Sequence, residues 1–149
     1  MEHSWLGDVA ALMITFSDST EVPAPIDRVW DVVADVDNEP QYYPGLNTIR
    51  NISRTGNVIE REVTVGFRNS KGRQIVVLRP KELVEVTMTE GPMKGTRIVT
   101  LSGDGSKTKI DIAWDIGLVG IPLLFRGKVE NQIMKGTKEA LARIGRAAS

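Results

Sequence analysis

The chain has 149 residues, of which 41% are hydrophobic and 26% are charged, a composition typical of one globular domain and too apolar for a disordered segment. Its 19 basic and 19 acidic residues cancel, so the basic excess of many nucleic-acid-binding proteins is absent and no nucleic-acid partner is expected. Cysteine is absent, and His3 is the only histidine. These counts exclude disulfides and thiolate chemistry and argue against a catalytic triad or a zinc site, so neither a metal ion nor a cofactor is expected.

No segment of the sequence predicts secretion or membrane insertion. The N-terminal stretch MEHSWLGD is acidic and lacks the basic start of a signal peptide. The longest apolar stretch, residues 116–125, is too short to span a membrane and contains Pro122. We therefore expect a cytoplasmic protein, with residues 1–10 as a loose N-terminal tail.

The first elements are a strand and a helix. β-Branched residues that roughly alternate with polar ones predict a strand over residues 12–22. Two prolines end this strand, and Pro25 with Asp27 suits the first turn of a helix. Apolar residues at helical spacing predict about three amphipathic turns over residues 26–36. A proline-bounded loop or short helix follows at residues 41–45.

The remaining chain predicts six strands and a long helix. Between residues 47 and 117, short apolar segments alternate with turn signals and leave no room for helices, which indicates an antiparallel meander. An amphipathic helix over residues 122–146 closes the chain. A seven-stranded sheet with one long helix can bury its apolar face by curling around that helix, which leaves a hollow between them. The predicted fold class is α+β, in the order β-α-α-β6-α.

Three strings of the sequence resemble a known superfamily. TEVPAPIDRVW at residues 20–30, followed by Asp37 and by Tyr43-Pro44, resembles the START-like, helix-grip superfamily. EVTVGF at residues 62–67 and EGPMK at residues 90–94 are similar to paired stretches of its polyketide cyclase and coenzyme Q-binding branch. The resemblance implies one START-like domain over residues 1–149, with a cavity for a hydrophobic small molecule.

Strand periodicity selects the first candidate ligand-binding residues. Alternate positions of one strand place Ile59, Arg61, Val63, Val65 and Phe67 on one face, which is predicted to line the hollow. Arg61 then lies inside, where an unpaired charge is costly. Either Arg61 binds a carboxylate, phosphate or quinone carbonyl of a ligand, or it pairs with a nearby glutamate or lies at the rim.

Other elements supply further candidates, each of which has ordinary core packing as its alternative. Methionines offer an adaptable apolar surface, and a tryptophan offers a flat wall whose N–H needs a partner. The two tyrosines after the first helix are interpreted as a gate or as ordinary packing. The candidates are Tyr42 and Tyr43 in the loop, Met88, Met93, Ile112 and Trp114 on strands, and Val129, Gln132, Ile133 and Gly136 on the long helix.

Two features of the C-terminal region have competing interpretations. Gly136 lies on the predicted buried face of the long helix, although a mid-helix glycine costs about 0.5–1 kcal/mol relative to alanine. Either the sheet approaches the helix closely there, or space is kept for a ligand that Gln132 also contacts. The apolar loop from Gly117 to Phe125 either packs against the sheet or forms a lid that touches a membrane transiently.

The leading hypothesis is a non-catalytic carrier or sensor of a quinone, an isoprenoid or other lipid, or a polyketide-like ring compound. The alternative is a cyclase or aromatase, because positioning by a pocket lowers a barrier by about 7–11 kcal/mol without a histidine. A third hypothesis is a regulator that interacts with the ribosome or another protein. The oligomeric state is left open.

Overall fold

A computed structural model describes residues 13–149, apart from the side chain of Phe67, so the predicted tail over residues 1–10 lies outside the described residues. The strands are β1 (Met13–Val22), β2 (Leu46–Thr55), β3 (Val58–Val65), β4 (Ser70–Arg79), β5 (Leu83–Glu90), β6 (Met93–Gly103) and β7 (Thr108–Leu118). The α-helices are α1 (Ile26–Val33) and α2 (Arg126–Ala148), and short 3-10 helices cover Val36–Gln41, Phe67–Asn69 and Leu123–Phe125.

The seven described strands form one antiparallel sheet, in the spatial order β1-β7-β6-β5-β4-β3-β2. From β2 onward each strand pairs with the next in sequence, as in a meander, while β1 pairs with β7. The sheet is curved and α2 packs against it through β1 and β7, which confirms the predicted helix-grip fold and its element order.

The chain after α1 differs in detail from the prediction. The predicted helix runs to Val36, but α1 ends at Val33, because Asp35 has a ψ of 64° that takes the backbone out of the helical region. The sequence left open a loop or a short helix at residues 41–45; the short helix lies at Val36–Gln41, and residues 42–45 form a turn. This shift matters for the site because it turns Glu39 inward, where the residue is only 4% exposed.

The two halves of α2 have different neighbours. The C-terminal half contributes Ala140, Leu141 and Ile144 to the main hydrophobic core, which it shares with α1 and the sheet. The N-terminal half contributes only partly buried residues, Val129 and Ile133, to a second and smaller apolar cluster. The helix is therefore held tightly at one end, and the space beneath its other end is incompletely filled.

Candidate ligand-binding site

A cavity of about 190 Å³ lies between the sheet and the N-terminal half of α2. Its walls are formed by buried side chains that alternate along the strands, since period two sends them to the concave face, and by the buried Thr137 of α2. Its mouth is marked by exposed residues of the loops and of the helix. The strand residues of the floor include Val63, Gln74, Met88 and Arg97, and the mouth includes Gly45, Gly66, Glu90 and Gln132.

Ten of the predicted ligand-binding residues line this cavity. They come from four strands, the loop after α1 and the long helix, which the sequence places far apart. The ten residues are Tyr43, Val63, Val65, Met88, Met93, Trp114, Val129, Gln132, Ile133 and Gly136. Their contact with a ligand stays a prediction, but the structure brings them to one surface.

A charged cluster of three side chains lies buried next to the cavity floor. Glu39 is bound by two arginines: its Oε1 accepts from Arg61 Nη2 at 2.5 Å, and its Oε2 accepts from Arg97 Nη2 at 2.6 Å. Burial opposes the ionisation of Glu39, but the two guanidinium groups outweigh it and hold the pKa of Glu39 below its usual range. The carboxylate therefore stays ionised and holds the 3-10 helix Val36–Gln41 against β3 and β6.

Arg61, for which the sequence left open a ligand anchor or a bridge to a glutamate, does not line the cavity. It is fully buried, and Nε and Nη2 both donate to Gln74 Oε1 while Nη1 donates to the backbone oxygen of Val36. Nη2 also donates to Glu39, so each of the three nitrogens of the Arg61 guanidinium has an acceptor within the protein. The structure shows the other arrangement considered for Arg61, a salt bridge to a nearby glutamate, which is Glu39.

Two other candidates, Ile112 and Tyr42, also lie off the cavity wall. Ile112 is fully buried in the main core, because its position on β7 faces α1 and the C-terminal half of α2. Tyr42 is half-buried against that same core and does not reach the cavity. Phe67 lies in the turn after β3, and its side chain is outside the described residues.

Arg97 is the arginine of the cavity wall, and sequence reasoning missed it. The signal was present, since Arg97 alternates with the buried Val99 and Leu101 on β6, as Arg61 does with its neighbours on β3. Glu39 offered no comparable signal, because its burial depends on the turn after α1. Thr137 follows the predicted candidate Ile133 by one helical turn, so helical spacing would have predicted it to face the cavity as well.

Aromatic rings flank the guanidinium of Arg97. The guanidinium carbon lies 4.0 Å from the centroid of the Tyr43 ring and 5.7 Å from that of Trp114, both within the range of cation–π attraction. Burial raises the pKa of Tyr43 to about 12, with Arg97 opposing the rise and Glu39 adding to it. Tyr43 is consequently a neutral phenol near pH 7.

Trp114 has its N–H satisfied inside the protein. Its Nε1 donates to Thr137 Oγ1 at 3.0 Å, and that hydroxyl in turn donates to the backbone oxygen of Ile133 at 2.7 Å. The indole is thereby fixed to the helix that covers the cavity. A rigid aromatic wall of this kind suits a flat apolar ligand.

Gly136 leaves space rather than permitting a close approach. A Cβ at this position would meet only the Pro44 backbone oxygen, at 3.6 Å, which is ordinary van der Waals contact. By contrast, Gly95 has a φ of 138°, and a Cβ there would lie 2.1 Å from the Asp115 oxygen. The absent side chain at Gly136 therefore enlarges the cavity, whereas Gly95 is required by the sheet.

The loop after β7 is partly buried and partly exposed. Ile121 is buried and lines the cavity, while Leu124 is 87% exposed and Leu123 is 56% exposed. The loop thus combines packing at its centre with an unprotected apolar end. Within residues 13–149, no group of three acidic or histidine side chains is arranged to hold a metal ion.

Solved structures share the fold at low sequence identity. The Zhui aromatase/cyclase from Streptomyces sp. R1128 has a TM-score of 0.79 and 16% identity, over 91% of this chain and 93% of that one. A START superfamily protein from Mycobacterium smegmatis has a TM-score of 0.68 and 17% identity, over 89% and 96%. The di-domain aromatase/cyclase StfQ of the steffimycin biosynthetic pathway has a TM-score of 0.75 and 13% identity, over 96% and 53%.

Sequence comparison gives the family. No curated protein matches the chain. The family described as polyketide cyclase / dehydrase and lipid transport matches residues 13–148, which is nearly all of the sequence and the whole of the sheet. The match agrees with the curved sheet, the long helix and the cavity between them. The chain therefore belongs to the polyketide cyclase / dehydrase and lipid transport family.

Proposed function

We propose that the protein binds a hydrophobic small molecule in the cavity between the sheet and α2, as a carrier or sensor. The observation that carries this proposal is the apolar-walled space of about 190 Å³ with an open mouth. A protein cavity of about 150 Å³ is enough to hold benzene, so the space here accepts a ring and not merely waters. Quinones, isoprenoids or other lipids, and polyketide-like rings are the candidate classes.

Native mass spectrometry of freshly purified protein tests the proposal. We expect an added mass that dissociates on activation and that solvent extraction recovers as an apolar compound. Gly136→Leu places a side chain in the cavity while improving helix propensity, and it should abolish the added mass. Gly127→Leu is the matched control, because Gly127 is on the same helix, has nothing within 4 Å of its Cβ position and does not line the cavity.

The two variants also test the proposal if the purified protein carries no ligand. Binding of 2-methylnaphthalene, measured by calorimetry, should be retained by Gly127→Leu and lost by Gly136→Leu. Equal binding by both variants, or no binding of any apolar ring by the unmodified protein, would contradict a ligand site in this cavity.

A cyclase activity is the second candidate, and one observation favours it. Arg97 belongs to the cavity wall, and a positive charge there would stabilise a nearby oxygen that gains negative charge during a reaction. In an intramolecular aldol closure, the enolate carbon attacks a ketone carbon, so a C–C bond forms and the C=O π bond breaks. The ketone oxygen becomes an alkoxide and takes up the proton that the enolate carbon had lost. The resulting hydroxyl then leaves as water with a second proton from the same carbon, and a C=C bond forms. Conversion of a poly-β-ketone thioester to a ring product, lost in Arg97→Gln, would establish this activity.

The remaining hypotheses concern location and partners. Within residues 13–149, none of the helices is long and apolar enough to cross a membrane. We propose a cytoplasmic protein with one ligand-binding domain that touches membranes transiently through Leu123, Leu124 and Phe125, all of which are exposed. Sedimentation with phospholipid vesicles, lost in Leu124→Asp, tests that contact. A ribosomal partner rests on the resemblance alone, and co-sedimentation with ribosomes at low salt tests it.

A further inference from the structure

The long helix α2 carries positive charge that its own acidic residues do not neutralise. The helix contains six basic and two acidic residues, although the chain as a whole has no net charge. Both acidic residues are paired within the helix, Glu130 with Arg126 and Glu139 with Arg143. Within residues 13–149, no ion pair involves the three lysines of the helix, which are Lys128, Lys135 and Lys138.

These three lysines share one side of α2 with an asparagine. All four side chains are exposed, and they recur three or four residues apart, which places them on the same side of an α-helix. We call this side the lysine face, formed by Lys128, Asn131, Lys135 and Lys138. At 1.5 Å per residue, its two ends are about 15 Å apart along the helix axis. The lysine face therefore suits an extended anionic surface better than a single small anion.

The helix dipole does not explain where these cations lie. The N-terminus of a helix carries partial positive charge, which favours carboxylates in the first turn. The first turn of α2 contains no acidic residue and instead contains Arg126 and Lys128. Such an arrangement is unfavourable for the isolated domain, and an anionic partner outside the protein would compensate for it.

Exposed apolar side chains lie directly before the lysine face. Leu123 is 56% exposed, Leu124 is 87% exposed and Phe125 is 42% exposed, and they form the 3-10 helix that leads into α2. The phosphates of a nucleic acid offer no apolar surface to these side chains, whereas the acyl chains of a bilayer do. Apolar residues beside exposed lysines are the combination by which proteins bind the surface of an anionic membrane.

We propose that the lysine face and Leu123–Phe125 together dock α2 on a bilayer that contains anionic phospholipids. This inference rests on the transient membrane contact in the proposed function and names the lipid class. Gln132 lines the cavity and lies one helical turn from both Lys128 and Lys135. Docking on the lysine face thus brings the cavity mouth to the membrane surface, which shortens the path of a hydrophobic ligand through water.

Sedimentation with two kinds of vesicle tests the proposal. The protein should bind vesicles of phosphatidylcholine and phosphatidylserine about 100-fold more tightly than vesicles of phosphatidylcholine alone, since each of three lysines near an anionic surface strengthens binding about fivefold. The triple variant Lys128→Gln, Lys135→Gln, Lys138→Gln should lose this preference and should bind pure phosphatidylcholine as the unmodified protein does. Glutamine has nearly the helix propensity of lysine, so the variant should fold.

A second triple variant makes the same change in net charge elsewhere. Lys107 and Lys109 flank Thr108, where β7 begins, whereas α2 follows the other end of β7. Lys81 lies in the turn between β4 and β5, and all three lysines are exposed. The variant Lys81→Gln, Lys107→Gln, Lys109→Gln should retain the preference for phosphatidylserine. Loss of the preference in both triple variants would mean that net charge, and not the lysine face, determines binding.

A salt titration of the unmodified protein needs no variant. Binding to the mixed vesicles should weaken as salt is added, because the Debye length falls from about 10 Å at 0.1 M to about 3 Å at 1 M. Binding that does not change with salt would overturn the role of the lysine face.

Failure of this inference is distinguishable from failure of the proposed function. Equal binding to both kinds of vesicle, lost in Leu124→Asp, would retain the apolar contact and overturn the role of the lysine face. Absence of binding to either kind would overturn the membrane contact, while calorimetry with Gly136→Leu and Gly127→Leu would still test the cavity. Ribosome binding that the Lys128, Lys135, Lys138 variant loses, without any vesicle binding, would assign the lysine face to RNA and overturn the proposal.

Discussion

Replacement of Glu39 by glutamine removes the carboxylate that holds two buried arginines together. Arg61 is fully buried and Arg97 is 2% exposed, so neither guanidinium can turn to water without opening the core. Breaking a buried ion pair from one side costs about 3–5 kcal/mol, against a total stability of about 5–15 kcal/mol. For a domain of this size, that loss corresponds to a fall in Tm of about 6–20 °C.

Urea denaturation followed by circular dichroism measures this loss, and two variants make the test specific. Glu60→Gln removes a carboxylate of the surface pair with Arg73, whose side chains are more than 40% exposed, and should cost about 0–1 kcal/mol. The triple variant Glu39→Leu, Arg61→Met, Arg97→Met replaces all three charges by apolar groups and should regain most of the stability lost by Glu39→Gln.

The reasoning is refuted if Glu39→Gln and Glu60→Gln lose similar stability. Such equality would mean that water reaches the cluster and screens it like a surface pair. A triple variant as unstable as Glu39→Gln would point instead to packing as the main contribution of these side chains.

Three further predictions concern stability and the cavity wall. The folded-state pKa of Glu39 lies below its ordinary value of 4.5, so the ionised carboxylate stabilises the fold fully above about pH 4.5. This stabilisation is lost as the pH falls through the folded-state pKa. Measurement of the free energy of unfolding against pH should show the loss, and Glu39→Gln should not show it. Gly136→Ala should raise stability by about 0.5–1 kcal/mol in thermal melts, whereas Gly95→Ala should lower it, since a Cβ there lies 2.1 Å from a backbone oxygen. Thr137→Val leaves the indole N–H of Trp114 without its acceptor and should cost about 1–3 kcal/mol in urea denaturation; an unchanged midpoint would mean that the indole finds another partner.

From the sequence, the direction of a side chain could be predicted better on a strand than next to a turn. Alternation on β3 correctly indicated that Ile59, Arg61 and Val63 face inward, because a strand has only two faces. The same rule would have identified Arg97. No such rule covers Glu39, because its direction follows from the break after α1 and not from a repeating pattern.

The sequence also could not show which of the inward-facing residues line the cavity. Ile112 and Trp114 share one face of β7, yet Ile112 is sealed in the core and Trp114 forms part of the cavity wall. The difference arises because the C-terminal half of α2 packs down on the sheet while the half around Gly136 leaves space. Periodicity assigns a residue to a face, but the distance between sheet and helix varies along that face.

By itself, the sequence determined the class of fold, the order of elements and the absence of cysteine and multi-histidine chemistry. These properties follow from local patterns and from composition, which do not depend on distant contacts. Only the tertiary structure decided that Arg61 is bound within the core and that Arg97 lines the cavity. That division of roles depends on which arginine lies nearer Gln74 and the Val36 backbone, and such contacts join residues 13 and 25 positions apart.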